Sequence, residues 1–548
     1  MQPPGRTRAH SFAVLAIAII TLGTIAVWLG ADGNGDLRNY HYYNGWALLS
    51  KAAGYDLAPA GIQSYHYPLL DSAFFLLART LNHYPRVFTF VWAIPQAVAV
   101  WLCFHIARRA LGPGRIALAW LAAAIGVGGA TTIGTVGTSM SEGVPNAMVC
   151  GAILLILGAD QSWQDGLVRR YAMAGALAGS AALLKLTNAP YTLAFGAAIL
   201  AAKLIDPAPP RLRGLAAFGL AAAIAVVLLG SPWWWTVYRV TGNPIFPYLN
   251  ALFHSPYFPD VDFTDPRFVP RSVSEWLTYP LQWALRKSTR VSEIPVRDLR
   301  LLVELVAALG LVGAAIARRA RRTDTAPHWR TDTAPLWLAV FVLAAYALWL
   351  KTFSILRYAS GLETLSGVLI VVALARLLPR RVAIVAGACA LVVLAATTVV
   401  PTWTRRPDPG PLLVDVQMPR LPADSTVLMI GPYETSFTAR FQPLSVRYIG
   451  AFSNLVHDYF TPGFDRLIAQ TVADAPGPLW TIASPGPLEE QVVRLLARWR
   501  LRGTDDCRPV ISTIAPLMAL CRLERLPVPV ERTGLPATMR PPLETQGQ

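Results

Sequence analysis

Two stretches near the start of the chain concentrate side chains that can hold a sugar. The first reads Gly35-Asp36-Leu37-Arg38-Asn39-Tyr40-His41-Tyr42-Tyr43-Asn44-Gly45-Trp46, the second Gln63-Ser64-Tyr65-His66-Tyr67-Pro68-Leu69-Leu70-Asp71. Aromatic rings stack on sugar faces, and Asn, His and Asp side chains bind hydroxyls or take protons from them. The same residues also have bland readings. Aromatics at a membrane boundary form an interfacial belt. A single histidine such as His41 or His66 serves more often as a structural hydrogen-bonder. Asp71 opens an apolar run, where a helix dipole favours a carboxylate.

The elements that must position these residues are membrane spans. Of 548 residues 54% are hydrophobic and 15% charged, which leaves too few polar side chains to cover a water-facing surface. That excludes a soluble enzyme and a disordered chain. The first apolar run, Phe12–Leu29, is too long for a signal core and lacks a small-x-small cleavage site, so it reads as a retained first transmembrane helix. Further runs follow at Val87–Ile106, Ile116–Ile133, Val144–Ala159, Tyr171–Leu186, Tyr191–Leu204, Leu215–Trp235, Leu299–Ala317, Leu336–Leu350, Tyr358–Leu378 and Val382–Val400, eleven in all. Thr187-Asn188-Ala189-Pro190 predicts a break between the fifth and sixth, because proline disfavours helical geometry in the residue before it.

Charge sets the orientation. With a cytoplasmic N-terminus, Arg108, Arg109 and Arg115, then Arg169 and Arg170, then Lys203, Arg211 and Arg213 fall on the cytoplasmic side. So do Arg318, Arg319, Arg321, Arg322 and Arg330, and Arg376, Arg380 and Arg381, while Thr135–Gly143 on the far side holds no cation. This positive-inside bias accounts for most of the net charge of +16 and removes nucleic acid as a partner. Three segments are then exported: Ala31 to about Arg86, Thr236–Asp298 and Pro401–Gln548. The second contains eight prolines and reads as a defined lid over a cavity. The expected fold is thus an α-helical polytopic membrane module, residues 1–400, followed by a small exported α/β domain, residues 401–548. That domain shows strand-like stretches at Ser425–Ile430, Leu444–Ile449, Leu479–Ile482 and Val510–Ile514, a helical stretch at Leu488–Arg500, and a turn signal at Gly431-Pro432-Tyr433. Cys507 and Cys521 lie in it; an oxidising compartment lets them pair as a disulfide, the alternative being two buried thiols.

The order of features resembles the GT-C superfamily of membrane glycosyltransferases, in a bacterial, mannosyltransferase-like form. It starts with an acidic residue soon after the first helix and an aromatic-rich loop closing on Pro68-Leu69-Leu70-Asp71. Ser139-Met140-Ser141-Glu142, Gly242-Asn243-Pro244-Ile245-Phe246-Pro247-Tyr248-Leu249-Asn250 with Ser255-Pro256-Tyr257, and Ser354-Ile355-Leu356-Arg357-Tyr358 extend the resemblance over roughly residues 10–400. It implies an enzyme of the cell envelope that passes a sugar from a polyprenyl-phosphate carrier to a glycan, lipid or protein acceptor. In that reading Asp36 is the general base of an inverting transfer, with Asp32 a second candidate, and Glu142 orients the acceptor or Asp36. Arg357 binds the phosphate, since its fork matches phosphate oxygens bidentately. Lys185, at the exported end of an apolar span, is a further candidate ligand because a lysine there is costly to place, and Tyr40, His41, Asn44, His66, Asp71 and Tyr358 complete the substrate site. No Asp-x-Asp pair stands early in the chain, Asp32 and Asp36 being spaced too widely, so a divalent metal is neither required nor excluded. The Trp-Trp-Asp-x-Gly element of oligosaccharyltransferases is absent too; Trp233-Trp234-Trp235-Thr236 lacks the acid. Two other classes remain open, a lipid-linked sugar flippase and a non-catalytic polysaccharide assembly factor. The first fits poorly with an absence of repeated halves.

Overall fold

The computed structural model describes residues 4–159, 166–205, 210–263, 265–320, 333–430, 434–483, 485 and 490–527. The Gly431-Pro432-Tyr433 turn and the cations Arg321, Arg322 and Arg330 lie outside them, as do the side chains of Lys203, Arg211 and Arg319.

Each expected apolar run forms a helix. Among the described residues, seven helical segments are long and apolar enough to cross a membrane: Arg8–Leu29, Pro85–Leu111, Leu212–Thr241, Arg300–Arg318, Ala334–Thr352, Leu356–Leu377 and Arg380–Thr397. Ile116–Val127, Gly143–Gly158 and Leu186–Ala201 are shorter apolar helices, and Gly166–Leu184 packs among them. Leu356–Leu377 is the axis of the bundle, with 83% of its apolar window buried, whereas Leu212–Thr241 and Arg380–Thr397 bury 17% and leave their Leu, Ile and Val side chains facing outward. Glycine lets the helices touch backbone to backbone. A Cβ at Gly175 or Gly179 would strike the Phe218 and Ala222 carbonyls, so these two residues, spaced four apart, seat Gly166–Leu184 against Pro210–Thr241.

Three boundaries follow from contacts rather than local pattern. The expected break is present: a helix ends at Leu184, Leu186–Asn188 forms one tight turn, and Ala189–Ile205 restarts. The run expected at Ile116–Ile133 stops at Val127 and resumes as Ala130–Thr135. Buried Arg300 and Glu363 occupy the space where Cβ atoms of Gly128 and Gly129 would lie. Conversely, the helix expected to end at Trp235 continues through Pro232 to Thr241, so the second loop begins later than expected.

Beyond the bundle lies a six-stranded sheet in the order Val416–Gln417, Leu501–Ser512, Met518–Arg525, Leu479–Ala483, Thr426–Met429, Arg447–Ile449. The last two strands are parallel to each other and Leu479–Ala483 is parallel to Thr426–Met429, with Pro462–Ala473 and Glu490–Arg498 as helices. Strand Met518–Arg525 and helix Pro462–Ala473 were not expected. The Val510–Ile514 stretch belongs to the longer strand Leu501–Ser512. Cys507 and Cys521 face each other across the adjoining antiparallel strands and form a disulfide.

Several contacts tie the bundle and its first loop to the C-terminal domain, two of them β-type pairings. Ala31–Asp32 pairs antiparallel with Arg405–Arg406. Leu57 docks on the free edge of the sheet, donating from its N to Tyr448 O at 2.8 Å and accepting from Gly450 N at 2.9 Å. An unpaired edge strand is thereby covered by the first loop.

Candidate functional site

An unusual turn places the residues after the first helix. The N–H of Tyr42 bonds to the Leu37 carbonyl, an i→i+5 closure that widens the helix over Leu37–His41. At 3.6 residues per turn, positions five apart lie on opposite sides of a helix; in the wider turn Asp36 and His41 fall toward one face. Tyr40 Oη donates to Asp36 Oδ2 at 3.4 Å, and its ring lies 4.0 Å from that of His41 and 5.6 Å, edge-on, from that of His66.

Arg357 reaches the same place from the far part of the chain. It sits in the turn Leu356–Ala359 that opens the axial helix, and Leu356 N donates to Val291 O at 2.8 Å, so the second loop braces it. Its Nη1 lies 3.0 Å from Asp36 Oδ2, and its Nη2 donates to Tyr358 Oη at 3.1 Å. Glu293 Oε1, an acid the sequence did not single out, stands 3.8 Å from Arg357 Nη2. Side-chain exposures of 12% for Arg357 and 28% for Asp36 leave the pair half-covered and reachable.

The electrostatics follow from this arrangement. Burial pushes the Asp36 carboxyl up, but the charges of Arg357, His41 and Lys185 outweigh it and hold the group below its ordinary value. Burial drives the Tyr40 phenol well above its usual range, with Asp36 adding to it, so Tyr40 stays a neutral donor. His66 is pushed down to about 4, chiefly by burial, and is therefore a neutral imidazole near pH 7.

His41 and Asp71 form a pair of their own. His41 Nδ1 and Asp71 Oδ1 are 2.6 Å apart, both side chains are buried, and His41 Nε2 has no partner. Lys185 leaves the helix end and donates to Glu142 Oε1 at 3.1 Å and to Met140 O at 3.2 Å; Asn188 Nδ2 donates to Glu142 Oε2 at 3.1 Å. Glu142 is thus occupied as the anchor of Lys185. It makes no contact with Asp36, and only the charge of Lys185 reaches that carboxylate.

Two other candidates, Asp32 and Asn44, bond neighbouring segments, Asn44 keeping a buried Oδ1 without a partner. Asp32 is buried and accepts from Ser139 N at 2.6 Å, Asn34 N at 3.0 Å and Asn34 Nδ2 at 2.5 Å, which leaves one of its four lone-pair sites without a protein donor. Between the two early acids, the one with an open edge is Asp36. Asn44 Nδ2 donates to Gln63 O at 2.9 Å and ties the two aromatic stretches together. The sheet domain reaches the site as well, since Arg38 Nη2 pairs with Glu434 Oε2 at 3.0 Å and Ser436 Oγ donates to Arg38 O at 3.2 Å. Among the described residues, no three His, Cys, Asp or Glu side chains converge as a metal site.

No family model and no curated protein matches the sequence. Solved structures do match its fold. ArnT from Cupriavidus metallidurans bound to undecaprenyl phosphate superposes with a TM-score of 0.50 at 12% identity, covering 93% of this chain and 97% of that one. The apo form of the same protein gives a TM-score of 0.44 at 11% identity, over 94% and 98%. Over near-complete coverage of both chains, bundle and appended sheet domain together, this polytopic membrane protein shares the fold of ArnT.

Proposed function

We propose that the protein is a membrane glycosyltransferase that moves a hexosyl or pentosyl unit from a polyprenyl-phosphate carrier to an acceptor hydroxyl on the exported face, with inversion. The observation that carries this reading is the half-open pair of Asp36 and Arg357, 321 residues apart in sequence, 3.0 Å apart in space and ringed by Tyr40, His66 and Tyr358. A guanidinium next to a carboxylate suits a reaction that expels a phosphate while deprotonating an alcohol. The undecaprenyl phosphate held by the ArnT neighbour supports a polyprenyl-phosphate donor here. The positive-inside bias supports a cytoplasmic N-terminus in the inner or plasma membrane and an exported sheet domain. The Cys507–Cys521 disulfide agrees, because such bonds persist in oxidising compartments.

In this reading the donor phosphate draws the Arg357 fork to itself, where it offsets charge building on the leaving group. Asp36, released from its partner, removes the acceptor proton as the new bond forms. Asp36 is then exposed as a base only once the donor is bound. The chemistry calls for no cofactor, and a divalent metal on the donor phosphate is compatible with it. The test is a transfer assay in membranes with radiolabelled polyprenyl-phospho-sugars. Asp36→Ala is expected to lose turnover and keep donor binding, and Arg357→Ala to weaken donor binding as well. Full activity in Asp36→Ala removes the base assignment. Sugar-lipid crossing the bilayer with no new glycosidic bond replaces the transferase with a flippase.

A further inference from the structure

Asp71 and His41 together build something that a hydroxyl-binding loop does not need. Asp71 Oδ1 takes Nδ1 at 2.6 Å, which fixes the ring and leaves the Nε2 lone pair as the free acceptor. That Nε2 is shut off from solvent and meets no donor in the protein. A buried acceptor without a partner is costly, and the cost is relieved when a proton or a donor arrives from within the site. The widened turn sets the His41 ring 4.0 Å from that of Tyr40, whose Oη donates to Asp36 Oδ2, so imidazole and Asp36 flank one side chain.

We propose that His41, aligned by Asp71, is the terminal proton acceptor of the transfer, receiving through Asp36 the proton that leaves the acceptor hydroxyl. This rests on the glycosyltransferase reading. The acceptor O–H bond breaks, its proton passes to the Asp36 carboxylate, and its oxygen bonds to the anomeric carbon. The anomeric C–O bond to phosphate breaks and its electron pair leaves with the phosphate, next to Arg357. The proton then moves from Asp36 to His41 Nε2, producing an imidazolium paired with Asp71, and returns to water when the product leaves. The second step leaves the proton on a ring whose other nitrogen is held by the Asp71 carboxylate. It also restores Asp36 as a carboxylate, ready to re-form its bond to Arg357.

The groups around His41 are Asp36 and Tyr40 on its own turn, Asp71 from the helix Leu69–Thr80, and His66 from the second aromatic stretch. The charges of Lys185 and Arg357 reach the same cluster from the bundle, with Tyr358 beside them. Asp71 is the acid bonded to the ring.

The informative variant is His41→Asn. Its amide nitrogen matches Nδ1 and keeps the bond to Asp71, while the atom that would take the proton is gone. With purified full-length protein in lipid nanodiscs and a radiolabelled polyprenyl-phospho-sugar, kcat is expected to fall roughly 10²-fold or more, the low end for general acid–base groups. Donor affinity should stay within about twofold of wild type by the same logic of uniform binding. The acid limb of kcat should move to lower pH in His41→Asn. Asp71→Asn, which removes the carboxylate that aligns the ring, should lower kcat as well while donor binding holds. A wild-type kcat and pH profile in His41→Asn, with donor binding intact, overturns the proposal and leaves the pair as scaffold. Loss of donor binding in both variants, with the residual activity keeping the wild-type pH profile, overturns it equally. If wild type itself forms no glycosidic bond with any polyprenyl-phospho-sugar, the transferase reading falls instead.

Discussion

Replacing Arg357 by lysine keeps the charge and removes the fork. In the free protein one arm of that fork meets Asp36 at 3.0 Å and the other meets Tyr358 at 3.1 Å. Lysine is a point charge on a flexible stem and can serve only one such contact with fixed geometry. A phosphate taking both arms makes two charge-assisted hydrogen bonds. Losing one of them costs about 1.5–3 kcal/mol, a roughly 10- to 150-fold weaker donor. The opposing term is small. Breaking the Asp36 contact to free the fork costs roughly 0–1 kcal/mol, since the Asp36 side chain is 28% exposed and partly screened. The donor term therefore decides the sign, and Arg357→Lys binds more weakly. Equilibrium binding of radiolabelled polyprenyl phosphate to nanodisc-embedded protein measures it, with Lys351→Met as a control for general loss of positive charge near the interface. An Arg357→Lys affinity within twofold of wild type would refute the phosphate assignment, because no arrangement of a single ammonium replaces a bidentate contact at equal strength.

Further outcomes follow from the neighbouring groups. Asp56, buried under Tyr43 Oη at 2.7 Å and Tyr448 N at 2.8 Å, is raised from 3.8 to about 7, chiefly by burial. Its folded value lies above its unfolded one, so its contribution is complete below pH 3.8 and is lost as pH rises through about 7. The thermal midpoint of wild type should accordingly fall between pH 5 and pH 8 relative to Asp56→Asn, read by differential scanning fluorimetry in detergent. Glu142→Ala strands Lys185, whose side chain is 16% exposed, and should lower stability by about 3–5 kcal/mol, the usual cost of breaking a buried pair; an unchanged midpoint would mean that Lys185 finds water. Maleimide applied without reductant should miss Cys507 and Cys521, and reductant should make both reactive while lowering the midpoint of the sheet domain.

The apolar runs and the one-sided cations were sufficient to place the helices, because a span in lipid must satisfy its own backbone and its length is set by the bilayer. They could not place the interruption at Gly128 and Gly129. That gap is made by Arg300 and Glu363, which come from helices more than 170 residues away. At the other extreme, the run expected to end at Trp235 carries on to Thr241, because Thr236–Thr241 continues the helix past the apolar residues that marked the span. In the sheet domain, Thr461 accepting from Phe464 N with Pro462 behind it is an ordinary helix-start signal, legible in sequence and overlooked.

At the site, residue types were readable and partnerships were not. Asp32 and Asp36 are the same side chain at nearly the same place in the chain. What separates them is that Ser139, 107 residues on, supplies an N–H to one, whereas Arg357, 321 residues on, supplies a movable cation to the other. A backbone donor cannot leave when a ligand arrives, so Asp32 keeps its bond to Ser139. A long side chain can turn away, so in the proposed reaction Asp36 is uncovered when Arg357 turns to the donor phosphate. The His41–Asp71 pair has the same origin. The i→i+5 closure over Leu37–His41, held by the packing of Leu37, Tyr42 and Tyr43 in the core, sets the imidazole beside Tyr40, whose hydroxyl reaches Asp36. Chemistry of this kind is set by contacts between distant segments, which is why candidates could be named from their types and spacing while their roles depended on which lone pairs the fold leaves free.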